Sequence, residues 1–150
     1  MVRKFLKWLF SWTSTILILA VLAGYAVMQA WPASYWLDNV IVTVFDAPVD
    51  EPVIMSVSRD INRPFIADWN VLVRKQAGNN WKIVCTASGR GDYRPDAILP
   101  SPVTLDWWTD GQCPNPPEGN IFITTIWTLE TLAGNKTVVT QSNVFRVSPL

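Results

Sequence analysis

Residues 40–45 read VIVTVF, and this stretch decides the fold class of the chain. Its three valines occupy alternate positions and share one face of an extended segment, while Ile41, Thr43 and Phe45 share the other face. A period of two, rich in β-branched residues, is typical of a strand with one buried face. The stretch therefore predicts a β-strand.

The same alternation recurs through the rest of the chain. Six more segments are predicted to be strands, at residues 53–57, 69–73, 81–85, 102–107, 121–131 and 137–147. Clusters of proline, glycine and asparagine separate these segments, as turns require. About seven short strands with a turn signal at every gap predict an all-β fold, an immunoglobulin-like β-sandwich over residues 38–150.

Two turns and five tryptophans add detail to this prediction. Residues 78–80 (GNN) and 134–135 (GN) are expected to close hairpins, because glycine and asparagine tolerate positive φ. Tryptophans on strands are expected in the core, since a small domain needs their large buried area. These are Trp69, Trp81 and Trp127. Trp107 and Trp108 are neighbours on a predicted strand, so one ring should point inward and the other outward, where it would mark a contact surface or pack at the rim.

The charges are distributed unevenly along the chain. Of 150 residues, 49% are hydrophobic, 16% are charged and none is histidine. Arg3, Lys4 and Lys7 are the only charges before Asp38, and nine basic and twelve acidic side chains follow, a net charge of −3. A basic tip, a neutral stretch and a mildly acidic body are typical of a membrane-anchored protein. The composition argues against nucleic-acid binding and excludes catalysis by histidine.

The neutral stretch predicts a membrane-spanning helix. No residue from Trp8 to Tyr35 is charged, and residues 10–30 would form a helix of about 31 Å, which matches the hydrocarbon core of a bilayer. Pro32 should end the helix by removing a backbone donor. Aromatic side chains that favour the membrane interface flank both ends, namely Trp8 and Trp12 at one end and Trp31, Tyr35 and Trp36 at the other.

Two interpretations of this segment remain open. In the first, residues 1–37 form a cytoplasmic basic tip and a signal-anchor helix, and residues 38–150 face the periplasm or the exterior, because basic residues stay on the cytoplasmic side. In the second, the segment is a cleaved signal peptide, with the small residues of Gly24-Tyr25-Ala26 near the cleavage site. The uncharged stretch exceeds a usual signal-peptide core, which favours the anchor.

Cys85 and Cys113 are the only cysteines, and both follow the predicted anchor. A cysteine pair in an oxidising compartment usually forms a disulfide, which would hold the proline-rich loop around Cys113 against the sheet. The 28-residue separation would stabilise the fold by about 3.5 kcal/mol in the chain-entropy model. The alternative is two unpaired buried thiols.

Several short motifs have competing interpretations. Arg90-Gly91-Asp92 matches an integrin-binding tripeptide, here in a predicted glycine-rich turn, and Asn135-Lys136-Thr137 matches a glycosylation sequon. Glycine and aspartate are common in turns, and the sequon matters only in a eukaryotic host. The acidic pairs Asp92/Asp96 and Asp106/Asp110 lack the dense spacing of a calcium loop and are interpreted as solvated turn residues, so no metal site and no cofactor is predicted.

Glu51 and Asp60 have the spacing of the catalytic pair of phage-type lysozymes. The threonine expected six residues after the aspartate is Ile66, and those enzymes need a helical body that the strand pattern does not supply. The sequence has no histidine to act as a base for a serine nucleophile. It also has no Ser-x-x-Lys motif, in which a lysine would act as the base instead. The chain is therefore predicted not to be an enzyme, with a membrane-tethered cell-wall hydrolase as the weakest alternative.

Residues 68–71 (DWNV), 84–85 (VC), 93–96 (YRPD), 105–108 (LDWW) and Cys113 together resemble a family of small proteins. These are single-span proteins of tailed-phage and prophage genomes with a cysteine-paired exterior domain. The resemblance implies a bacterial or viral setting, with the domain in the periplasm or on a virion membrane. It brings no catalytic residues.

These observations predict a membrane-anchored, non-enzymatic binding module that presents a β-sandwich outside the membrane. The candidate binding surfaces are the loops at residues 88–99 and 108–119, which the disulfide would hold together. The residues expected to make contact are Arg90, Asp92, Tyr93, Arg94, Trp107 and Trp108. The predicted partners are the membrane and an unidentified protein, an envelope component or further copies of the chain.

A different class of function also remains open. The chain could be a structural membrane protein of a virion or envelope complex that assembles through its helix. Small residues would let such helices approach closely, and they are Ser14, Ala20, Ala23, Gly24 and Ala26.

Overall fold

A computed structural model describes the backbone of residues 2–149 and the side chains of residues 12–149. The described side chains do not include those of Arg3, Lys4, Lys7 and Trp8. Their predicted locations, in the cytoplasm and at the membrane interface, therefore stay predictions. The chain divides into two compact units. One contains the N-terminal helix, and the other begins at Ala33 and contains the sheets.

The N-terminal helix, α1, spans Val2–Gln29. Its segment Trp12–Gln29 has a mean hydropathy of 1.5, and none of its 18 residues is buried. At 1.5 Å per residue this segment is about 27 Å long. Within residues 2–149, α1 is the one helix that is long and apolar enough to cross a membrane.

The second unit is mostly β-strand. After a 3-10 turn at Ala33–Tyr35 its elements are β1 (Leu37–Val44), β2 (Ala47–Pro48), β3 (Ile54–Ile61), β4 (Phe65–Ala77), β5 (Asn80–Tyr93), β6 (Val103–Thr104), α2 (Leu105–Trp108), β7 (Gly119–Thr131), β8 (Gly134–Gln141) and β9 (Phe145–Ser148).

The strands form two sheets. The smaller sheet has the order β1-β3-β6, and the larger has the order β2-β9-β7-β4-β5, with β8 also paired to β7. The neighbours are antiparallel except for β2, which runs parallel to β9. The prediction of a mostly β domain after an N-terminal apolar helix is confirmed.

The alternating residues supply the core, as the sequence predicts. In β1 the side chains of Val42 and Val44 are buried, while Ile41 and Thr43 are exposed. Most buried residues of β3, β4 and β7 also occupy alternate positions, and the core includes Met55, Val57, Val71, Val73, Ile121, Ile123 and Leu129. A period of two places these residues on one face of each sheet.

Three segments differ from the predicted strands. Residues 102–107 contain the two-residue strand β6 followed by one turn of helix, because Thr104 caps that turn by accepting a hydrogen bond from the Trp107 N–H at 3.1 Å. Residues 137–147 divide between β8 and β9. The two-residue strand β2 is too short to show an alternating pattern, so the sequence does not predict it.

The predicted tryptophan core is correct for Trp127 and wrong for Trp81. Trp127 is 1% exposed, whereas Trp81 is 39% exposed and packs edge-on against Phe122 with ring centroids 4.6 Å apart. Trp81 lies near the start of β5, where the residues are exposed on both faces. Trp69 is half-buried. Alternation predicts which residues share a face, but it does not show where along a strand that face is covered.

Trp36, which is predicted to lie at the membrane interface, packs within the sheet unit. It is 5% exposed, its ring packs edge-on against Tyr35 at 5.0 Å, and its carbonyl accepts the Asn62 N–H at 2.8 Å. The physical reason is the 3-10 turn at Ala33–Tyr35, which leads directly into β1 and makes Trp36 part of the sheet unit. Trp12 and Trp31 are exposed, at 58% and 38%.

Candidate functional site

An aromatic cavity of about 220 Å³ lies where β4, β5 and β7 of the larger sheet meet β3 of the smaller sheet and helix α2. Its lining residues are Arg59, Trp69, Val71, Gly91, Asp92, Tyr93, Trp107, Trp108, Thr125 and Trp127. Five of these ten are aromatic. The cavity is larger than the ~150 Å³ space that admits benzene and smaller than the ~300 Å³ of a drug-sized pocket.

Two glycines on β5 make room for aromatic rings beside the cavity. Gly89 and Gly91 are register partners of Trp69 and Ala67 on β4, so their missing side chains would share a face with the Trp69 ring. A Cβ placed on Gly89 would overlap that ring, and one on Gly91 would lie 2.9 Å from the Tyr93 ring. The glycines therefore let two aromatic rings lie flat against the strand.

We expect Gly89→Ala to destabilise the domain by about 1–3 kcal/mol, the usual effect of overpacking, because the Trp69 ring has to move away from β5. Chemical denaturation followed by tryptophan fluorescence measures the change. Ser88→Ala is the matched control on the neighbouring, exposed position and should change the stability by less than about 0.5 kcal/mol. Equal stability of the two variants would contradict the close approach of Trp69 to β5.

The wall formed by Trp107 and Trp108 is held by hydrogen bonds at both ends of α2. Beyond the Thr104 cap, the buried hydroxyl of Thr109 donates to the Leu105 carbonyl at 2.8 Å and accepts the Cys113 N–H at 3.2 Å. Trp108 is 9% exposed, and its indole N–H donates to the Thr125 hydroxyl at 3.2 Å. Trp107 is 52% exposed and lies at the cavity mouth. The expected inward and outward pair is present, but on a helix instead of a strand.

A disulfide fixes this wall to the edge of the larger sheet. Cys85 on β5 and Cys113 are bonded, with their Cα atoms 6.0 Å apart, as predicted. Beside the disulfide, the Gln112 side chain accepts the Ser88 N–H at 3.2 Å and donates to the Ser88 carbonyl at 2.9 Å. Gln112 thus satisfies backbone groups that an edge strand would otherwise leave unpaired.

Arg59 is the unusual member of the lining. It continues the alternation of Met55 and Val57 on β3, so a guanidinium occupies a position that the pattern assigns to the buried face. Its Nε atom is buried without a hydrogen-bond partner among the described residues. Burial lowers the pKa of Arg59 below its ordinary value. The guanidinium carbon lies 5.0 Å from the centre of the Tyr93 ring, a cation–π distance.

No known family model, curated protein or solved structure matches this chain. Its function is therefore inferred from the chemistry of the cavity.

Tyr93 interacts both with the guanidinium of Arg59 and with another aromatic ring. Its ring stacks on Phe65, its register partner, at 5.0 Å and 15°. Burial raises the pKa of the phenol, and the Arg59 charge opposes this by favouring the phenolate. The folded protein therefore holds Tyr93 neutral more strongly than the unfolded chain does.

This shift predicts the pH dependence of stability. A raised pKa contributes stability that is complete below the unfolded value of about 10 and is lost as the pH rises through the folded value. The free energy of unfolding should therefore fall more steeply above about pH 10 in the wild-type protein than in Tyr93→Phe. Urea unfolding at a series of pH values tests this, and parallel curves for the two proteins would contradict it.

The structure distributes the six residues of the predicted binding surface between two faces. Asp92, Tyr93, Trp107 and Trp108 line the cavity. Arg90 instead forms ion pairs with Asp68 at 3.0 Å and Glu130 at 2.7 Å, and these hydrogen bonds raise its pKa. Arg94 pairs with Asp92 at 2.8 Å, which raises the pKa of Arg94.

The predicted turn at Arg90-Gly91-Asp92 is wrong, because the tripeptide lies within β5 and pairs with β4. The candidate loop at residues 88–99 is accordingly a strand up to Tyr93. The glycines that indicated a turn are needed for the packing of aromatic rings instead.

Glu51 and Asp60 lie at opposite ends of β3. Glu51 precedes β3 and Asp60 lies near its far end, and Ile54 and Asp60 alone are about 20 Å apart along the strand. The carboxyl groups of a glycosidase lie within about 10 Å of each other. Among the described residues, no group of three histidine, cysteine or acidic side chains could hold a metal ion.

Sequence reasoning missed Arg59 and treated Trp69 and Trp127 as core alone. The signal for Arg59 was present in the sequence, since a charged residue at a buried-face position of a strand needs a special environment. The contribution of Trp69, Val71 and Thr125 to the cavity depends on strand register, which the sequence pattern does not show.

Proposed function

We propose that this chain is a single-pass membrane protein whose β-sandwich domain lies outside the cytoplasm and binds a ligand in the aromatic cavity, without catalysis. The observation that carries this proposal is a cavity lined by five aromatic residues and by Arg59, a cation without an ion-pair partner among the described side chains. A partly buried charge without a partner destabilises the free protein, and a ligand that interacts with it would offset that cost. Preformed cavities lined by aromatic side chains and a few well-placed polar groups are typical binding sites.

The position of the domain outside the cytoplasm is supported by two features. Helix α1 is long and apolar enough to span a bilayer, and the basic residues Arg3, Lys4 and Lys7 precede its apolar segment Trp12–Gln29, which favours an N-terminus on the cytoplasmic side. The Cys85–Cys113 disulfide is typical of an oxidising compartment such as the periplasm.

The immunoglobulin-like architecture is supported by the strand order. Beta-sandwiches of this kind pair their second strand with their fifth in one sheet and their third with their last two in the other. Here β3 pairs with β6, while β4, β7 and β9 are neighbours, and β5 extends the larger sheet at its edge. The disulfide differs from the inter-sheet bond of antibody domains because it joins β5 to the segment after α2.

The resemblance of DWNV at residues 68–71 and LDWW at residues 105–108 to small prophage proteins supports a phage or prophage origin. These two motifs supply Trp69, Trp107 and Trp108 to the cavity. Three of the residues to which we assign ligand binding therefore lie within the motifs that show the resemblance.

The test is fluorine NMR of the full chain, labelled with 5-fluorotryptophan and held in lipid nanodiscs. Fragments from a chemically diverse set should shift the resonances of Trp69, Trp107, Trp108 or Trp127 and leave that of Trp81, on the exposed part of β5, in place. Single Trp→Phe variants assign the resonances. A set in which no fragment shifts a cavity resonance, or in which the Trp81 resonance shifts equally, would overturn the proposed binding function.

A further inference from the structure

The charge balance of the cavity indicates what kind of ligand it accepts. Arg59 and Asp92 are its only charged lining residues. The Asp92 carboxylate is already engaged, since it accepts hydrogen bonds from the Arg94 Nε at 3.1 Å and from an Arg94 terminal nitrogen at 2.8 Å. Among the side chains that the structure describes, none forms an ion pair with Arg59. The cavity thus has an uncompensated positive charge.

Arg59 is the charged lining residue without a charged partner, so it determines which ligand charge the cavity prefers. The Trp108 indole N–H already donates to the Thr125 hydroxyl. A neutral ligand such as a sugar would leave the charge of Arg59 uncompensated. A carboxylate compensates that charge, and its two acceptor oxygens match the parallel N–H groups of a guanidinium.

Size and lining restrict the rest of the ligand. A cavity of about 220 Å³ exceeds the ~150 Å³ that benzene needs, by roughly the volume of a short acidic substituent. The rings of Trp69, Tyr93 and Trp107 provide flat apolar surfaces, and Trp107 is half exposed at the mouth, where it can cover a bound ring.

Building on the proposed function, we infer that the cavity binds an aromatic carboxylate: one aromatic ring between the tryptophans, with its carboxylate on Arg59. Two sources share this chemistry, a free arylalkanoic acid and the C-terminal residue of a polypeptide that ends in an aromatic residue.

The test uses phenylacetate as the probe and phenylacetamide, its neutral analogue, as the matched ligand control. Both are titrated into the fluorotryptophan-labelled full chain in nanodiscs. We expect saturable shifts of the cavity resonances with phenylacetate and binding at least about tenfold weaker with phenylacetamide, since a hydrogen bond between charged groups is worth that factor or more. Equal affinities, or no saturable phenylacetate shift, would overturn the inference.

Arg59→Gln is the protein control, because it keeps a polar side chain of similar length but removes the charge. The variant should lose the preference for phenylacetate over phenylacetamide, while its fluorine spectrum without ligand shows whether the fold persists. If the variant does not fold, Arg59→Lys replaces it and should retain a weakened preference. A preference that survives unchanged in the folded variant would overturn the role of Arg59.

A short peptide ending in phenylalanine, with a free or an amidated C-terminus, distinguishes the two sources. Tighter binding of the free-carboxylate peptide than of phenylacetate supports a polypeptide end, and weaker binding supports a small acid. If other fragments shift the cavity resonances and none of the carboxylates does, the inference fails while the proposed binding function stands. If nothing shifts them, both fail.

Discussion

Trp127→Ala is expected to lower the free energy of unfolding by about 3–5 kcal/mol, a large part of the ~5–15 kcal/mol that stabilises a typical domain. Trp127 is 1% exposed, and its ring packs edge-on against Trp108 with centroids 6.0 Å apart. Removing the ring leaves a large void beside the existing cavity, which the ring lines. Urea denaturation of the full chain in nanodiscs, followed by circular dichroism of the sheets, measures the loss.

Trp81→Ala is the matched control, since it removes the same side chain from the exposed part of β5. Its ring contacts Phe122 and is 39% exposed, so we expect a loss of about 1 kcal/mol. The difference between the two variants measures the contribution of burial. Losses of equal size would contradict the placement of Trp127 in the core.

Removing the disulfide in the double variant Cys85→Ala/Cys113→Ala is expected to cost about 3.5 kcal/mol. The bond closes a loop with a sequence separation of 28, and losing it increases the conformational freedom of the unfolded chain. In the folded state the segment that carries Trp107 and Trp108 should become more mobile and their fluorine resonances should broaden. Wild-type protein isolated from membranes with free thiols blocked should gain the mass of two hydrogen atoms when a reductant supplies two electrons and two protons to the disulfide.

Gln112→Ala is the control in the same loop, because it removes the two hydrogen bonds to Ser88 and leaves the disulfide intact. These bonds are exposed, so a loss of about 1 kcal/mol is expected. If the double cysteine variant is no less stable than Gln112→Ala, the disulfide is not a major source of stability. Its role would then be limited to holding the cavity wall.

The fold was predictable where the alternating pattern is long. Val42 and Val44, and Val71 and Val73, are buried as expected, because a strand in a two-sheet domain has one covered face. The pattern was misleading at residues 105–108, where the hydroxyl of Thr104 stabilises a helical turn. It was also misleading at residues 90–92, where glycines serve packing and not a turn.

The candidate site was predictable only in part. Tyr93, Trp107 and Trp108 were singled out because aromatic residues near loops form contact surfaces, and the structure places all three at one cavity. Arg59 is more than thirty positions away from them in sequence and was not considered. Its proximity to Tyr93 depends on the packing of β3, in the smaller sheet, against the end of β5, in the larger.

The sequence by itself determined the order of an apolar helix followed by a β-rich domain, the buried faces of the long strands and the cysteine pair. These features depend on local periodicity and composition, which neighbouring residues carry. Only the tertiary structure decided the strand order, the exposure of Trp81 and the cavity that Arg59 lines together with five aromatic side chains. Strand register and sheet packing bring together residues that are distant in the chain, and no local pattern records which distant residues will be neighbours.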